Sequence, residues 1–154
     1  MNPITTVGVV GAGTMGSAIA QHFAMKGLSV ILVDQKQEFL ERGIGYIRES
    51  LGEALQRGLI DQQAFDQILG RLHCTTAQSE LAKADLVVEA IFENLAVKKG
   101  LFAELEKVVS ADCILASNTS SLLLVHVVVP KDKKALWHMI HCNITNCSYI
   151  LPLL

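Results

Sequence analysis

Apolar residues in this chain fall into short unbroken runs, separated by longer stretches in which they recur every three or four positions. "TVGVVG", with Val7, Val9 and Val10 bounded by glycine, predicts a short buried strand. "MGSAIAQHFAMKG" predicts a helix, because Ile19 and Phe23 recur at helical spacing with the small Ala20 and Ala24, and Gly27 closes it. "LSVILVD" is a second strand ending in Asp34. A long helix from about Glu38 follows, with Leu40, Ile44, Ile47, Leu51 and Leu55 as its apolar stripe and Gly58 at its end. Asp61 is placed to cap the helix "QQAFDQILG", so the two helices form a hairpin. "RLHCTT" and "ADLVVEAI" are further strands, Asn94 starts the helix "LAVKKGLFAELEKVV", and the strand "CILASN" runs into a polar turn, "TSS".

The order is β-α-β, a helical insertion, then β-α-β. Strands that are apolar throughout, rather than alternating, belong to a parallel sheet covered on both faces. The expected fold is therefore α/β, a doubly wound and mainly parallel sheet with a helical hairpin after the second strand. Its 154 residues suffice for one good core and are too few for two ordinary domains. From residue 123 the character changes. "LLLVHVVV" opens a tail that holds, with that run, three of the five histidines and two of the four cysteines. A strand around Ala135 to Ile140 would complete the sheet. The division expected is residues 1–122 as one domain and 123–154 as a divergent tail.

Composition narrows the function. About half the residues are apolar, 18% are charged and the net charge is −2, so neither disorder nor attraction to nucleic acid or an anionic membrane is indicated. The N-terminus lacks the features of a signal peptide, and no apolar run approaches a membrane span, so a cytoplasmic location is expected. Cys74, Cys113, Cys142 and Cys147 make neither a C-x-x-C pair nor a zinc-like spacing, and are read as buried or idle thiols, with no metal site.

The chemistry begins at Gly11-x-Gly13-x-x-Gly16, directly after the first strand and at the start of a helix. In that setting the first glycine permits a tight turn, the second lets backbone approach a pyrophosphate, and the third lets helix pack on strand. The helix N-terminus adds unpaired N–H groups and partial positive charge. Thr14 and Met15 lie within this loop. Asp34, roughly 20 residues further on, is placed to bind a ribose 2′-hydroxyl and to repel a 2′-phosphate, which favours NAD over NADP. The competing reading of these residues is an ordinary strand-to-helix turn and a solvated Asp.

"GAGTMGSAIAQ", "VILVDQ", "ADLVVEAIFENLAVKKGLFAELE" and "ILASNTSSL", in this order, resemble the NAD-dependent L-3-hydroxyacyl-CoA dehydrogenases, which include the 3-hydroxybutyryl-CoA dehydrogenases. The resemblance runs from about Thr6 to Leu122. It implies a Rossmann-type fold, NAD as cofactor, and oxidation of a 3-hydroxyacyl-CoA to the 3-ketoacyl-CoA. It implies that Glu93 and Lys98 border the nicotinamide side, though from the residues alone each also fits a capped, solvated helix start. It implies that Asn118 and Ser120 contact the nicotinamide end and the substrate oxygen, and that Ser50 and Arg57 on the helical hairpin meet the CoA moiety. The family's histidine base lies in a "G-x-H-F-F-N-P" segment. An ungapped count from "TSS" puts His141 there, within "MIHCNI", and Leu153 at the place of the glutamate that orients the base. The family is dimeric through a C-terminal helical domain, which these residues do not include. Three alternatives stay open: a non-catalytic NAD-binding fragment of such an enzyme, a structural lens-type protein on this scaffold, and a dehydrogenase of small hydroxy acids.

Overall fold

The computed structural model describes residues 3–118 and the strand 137–139. The elements run β1 (Thr6–Val10), α1 (Thr14–Met25), β2 (Ser29–Val33), α2 (Gln37–Gln56), α3 (Gln62–Gly70), β3 (Leu72–Thr75), a 3-10 turn (Gln78–Lys83), β4 (Leu86–Glu89), α4 (Leu95–Val108), β5 (Ile114–Ser117) and β6 (Trp137–Met139). The six strands form one sheet in the order β3-β2-β1-β4-β5-β6, and every neighbouring pair is parallel. This is the doubly wound order, with its reversal between β1 and β4.

The unbroken apolar runs have a direct cause. Successive strand residues point to opposite faces, and both faces are covered. Val7, Val9, Val30, Leu32, Leu86 and Val88 pack under α1, α2 and α3 through Ile19, Phe23, Leu40, Ile47, Leu51 and Ile68. Val10, Ile31, Val33, Val87 and Leu115 pack on the other face with Phe102 and Leu105 of α4 and Leu81 of the 3-10 turn.

The helix boundaries follow the expected signals. Asp61 Oδ1 accepts from Ala64 N at 2.7 Å, and Asn94 Oδ1 accepts from Val97 N at 3.1 Å. Gly58 lies at φ +69°, in the turn that joins α2 to α3 as a hairpin. The expected strand in the tail is present as β6, paired with β5 through Leu115↔Trp137 and Ser117↔Met139. The 3-10 turn matches no element expected from the sequence; it is anchored by Leu81, which is fully buried.

Candidate active site

The carboxyl ends of β1, β2 and β4 open into a cleft of about 450 Å³ at the point where strand order reverses. Ligands of open α/β sheets bind in such crevices. Gly11, Gly13 and Asp34 line it, together with Phe39, Gln78, Ala90 and Ile91.

The three glycines have three separate geometric reasons. Gly11 has φ +106°, and a Cβ there would stand 2.6 Å from the Ala90 carbonyl oxygen. A Cβ on Gly16 would come within 1.7 Å of the Gly11 carbonyl oxygen. Gly13 is different: a Cβ there would meet no atom within 4 Å, and its φ of −71° suits any residue. No neighbouring atom of the protein requires glycine at 13, and the space above it is open to a group seated on the loop. That is the fit expected for a dinucleotide pyrophosphate at the start of α1. This helix carries no side-chain cap, unlike α3 and α4 with their Asp and Asn caps, and no acid in its first turn. Thr14 and Met15 form that first turn, Thr14 exposed and Met15 half-buried.

Asp34 does more than the spacing indicates. Its Oδ2 accepts from Ala12 N and its Oδ1 from Gln35 N, both at 2.7 Å. The carboxylate thereby ties the end of β2 to the glycine loop while lining the cleft. Two other residues that support the loop carry no obvious sequence signal. Ser17 Oγ donates to the Ala12 carbonyl at 3.2 Å, and Gly43 of α2 lies so close that a Cβ would be 2.8 Å from Ala12 O and Ser17 Oγ.

At the other side of the cleft stands a buried polar node. Glu89, at the end of β4, is fully buried. Its Oε1 accepts from Lys98 Nζ and from Ile91 N, each at 2.8 Å, and its Oε2 accepts from Ser117 Oγ at 2.5 Å. Asn118 N donates to the Glu89 carbonyl at 2.8 Å. Lys98 is 1% exposed, so the solvated alternative for it is corrected. It occupies the buried stripe of α4 with Phe102 and Leu105, because Glu89 offers it a charge partner there. Glu93 is 43% exposed, with its Oε1 3.8 Å from Lys98 Nζ. Sequence offered a signal for this node: a glutamate inside the apolar run "LVVEAI" and a lysine in the apolar stripe of a helix both demand partners.

Ser50 and Arg57 lie away from the cleft. Both are exposed on the hairpin, seven residues apart and so on nearly the same side of the helix, and Ser50 Oγ accepts from Gln21 Nε2 at 3.0 Å. Ser120, His141, Cys142, Cys147 and Leu153 lie outside the described residues. Neither described cysteine is suited to be a nucleophile. Burial, then the charge of Asp85, pushes the Cys113 thiol up to about 12, and burial also raises Cys74. Among the described residues no cluster of three or more His, Cys, Asp or Glu is placed to hold a metal ion, and no helix is long and apolar enough to cross a membrane.

Fold and loop together define a dinucleotide-binding domain. The family profile of the 3-hydroxyacyl-CoA dehydrogenase NAD binding domain matches residues 6–143, and the chain belongs to that family. It is 46% identical over 128 residues to a probable 3-hydroxybutyryl-CoA dehydrogenase of Deinococcus radiodurans, which covers 83% of this chain. It is 41% identical over 119 residues, 77% of this chain, to a fatty acid oxidation complex subunit alpha of Psychrobacter cryohalolentis. The chain spans 46% of the first relative and 17% of the second. Among solved structures it is similar to M. tuberculosis FadB2, with a TM-score of 0.80 and 41% identity over 82% of this chain and 45% of that one.

Proposed function

We propose that the chain acts as an NAD-dependent L-3-hydroxyacyl-CoA dehydrogenase in the cytoplasm. Residues 1–122 form its NAD-binding unit and 123–154 a tail that completes the sheet. The observation that carries this reading is the cleft at the strand-order reversal, where Gly13 leaves room on the loop and Asp34 closes the β2 side. Asp34 on that side takes the adenosine ribose, Gly11, Gly13, Thr14, Met15 and Gly16 take the pyrophosphate, and the β4–β5 side, with Glu93 and Lys98, takes the nicotinamide half. The bound cofactor supplies the acceptor for hydride from substrate C3. Asn118 and Ser120 orient the substrate oxygen, and His141 takes the hydroxyl proton, a task for which an imidazole pKa is suited. Ser50 and Arg57 offer a hydroxyl and a cation to the CoA portion.

A second reading is favoured by one fact: Leu153 stands where the resemblance puts the glutamate that orients the histidine base. On this reading it binds the cofactor without turning over substrate. One experiment separates the two. NADH absorbance is followed after acetoacetyl-CoA is added to the purified chain, with NADH binding measured in parallel. Turnover that disappears in His141→Ala supports the dehydrogenase. Binding without turnover supports the second reading, and the absence of both overturns the two together.

A further inference from the structure

We propose that Glu89 is the positioning residue for the nicotinamide half of the cleft. The inference rests on the cofactor placement proposed above. One carboxylate receives donors from three separate segments that border this half. Ile91 N belongs to the cleft wall that follows β4, Lys98 Nζ comes from the first turns of α4, and Ser117 Oγ comes from the end of β5. Ser117 directly precedes Asn118, whose own N–H is held by the Glu89 carbonyl. Both the backbone and the side chain of Glu89 thus fix where the Asn118 turn begins relative to the Ile91 wall.

Stability alone does not explain such a node. A buried ion pair gains little over apolar residues of similar volume, because desolvation offsets the attraction. What apolar side chains cannot supply is direction: three hydrogen bonds converging on one group set the relative positions of three segments to within tenths of an ångström. Lys98, with its ammonium drawn to Glu89 at 2.8 Å and 1% exposed, belongs to this frame and acts through it.

The test compares two ligands on the full chain. NADH fills both halves of the cleft; ADP-ribose lacks the nicotinamide ring and reports on the adenosine side. Glu89→Gln keeps the shape, removes the charge and turns one acceptor corner into a donor. It is expected to weaken NADH about tenfold while ADP-ribose stays within about twofold. Ser117→Ala, which removes the tie to Glu89 Oε2 and leaves the ion pair standing, is expected to weaken NADH about threefold with the same selectivity. It decides the matter if Glu89→Gln does not fold. Asp34→Asn serves as the opposite control and weakens both ligands alike. Equal losses for both ligands in the Glu89 and Ser117 variants, or no loss in either, overturn the proposal. A wild-type chain that binds ADP-ribose and NADH equally refutes it as well, and one that binds neither removes the cofactor placement beneath it.

Discussion

The two sides of the cleft are built by opposite means. On the β2 side, the loop after β1 is shaped by what is missing. Gly11 and Gly16 leave no room for a Cβ, and Ala12 is held by its N–H donating to Asp34 Oδ2 and its carbonyl accepting from Ser17 Oγ. On the β4–β5 side, the frame is shaped by what is present: Glu89, Lys98 and Ser117, all nearly sealed from solvent. The first construction exposes N–H groups to an anionic ligand; the second consumes its polar groups internally and presents the backbone they hold. The open glycine loop and the sealed polar node thus draw on different parts of the side-chain inventory.

The sharpest way to break this contrast is Gly16→Ala. Its Cβ would overlap the Gly11 carbonyl oxygen at 1.7 Å, and backbone cannot move aside as a side chain can. The expected loss is about 3 kcal/mol or more, read as a large fall in melting temperature, with NADH binding abolished. Gly13→Ala sharpens the contrast instead. Stability should change by no more than about 0.5 kcal/mol, since the new methyl meets open space, while NADH binding should weaken about tenfold. Loss of stability with unchanged affinity would show that position 13 serves the fold.

The smallest expected effect lies at the far end of β4. Asp85 Oδ2 accepts from Thr5 N at 2.8 Å, Thr6 N at 2.9 Å and Thr5 Oγ1 at 3.0 Å. Burial works to raise its pKa, but these hydrogen bonds together lower it below the ordinary aspartate value. A carboxyl depressed in the folded state contributes stability that is fully present above the unfolded value of about 3.9, and that is lost as pH falls through the lower folded value. Melting temperature in the wild type should therefore decline through that acid range more steeply than in Asp85→Asn. NADH affinity at neutral pH should be the same in both, which would show that only one end of the strand addresses the ligand.

The β2 side of the site was legible in sequence because its requirements are local. A strand, three glycines at fixed spacing and an acid at the end of the next strand are all written within Val7–Asp34. The helix caps at Asp61 and Asn94 were legible for the same reason. The β4–β5 side was only partly so. Glu89 and Ser117 are 28 residues apart and meet only because β4 and β5 pair in parallel register, Glu89 opposite Ser117. Lys98 fits a solvated helix start until the charge waiting beneath α4 is known. Gly43 looks like a flaw in an amphipathic helix, and its reason appears only when α2 is laid against the glycine loop.

That last contact joins two parts usually considered apart. α2 rests at position 43 directly on Ala12 O and Ser17 Oγ and is held further along by Ile47, Leu51 and the Gln21–Ser50 hydrogen bond, so the hairpin is seated against the glycine loop. A side chain at position 43 would have to lift α2 off the loop, so the spacing between the hairpin and the glycine loop is set at a single glycine.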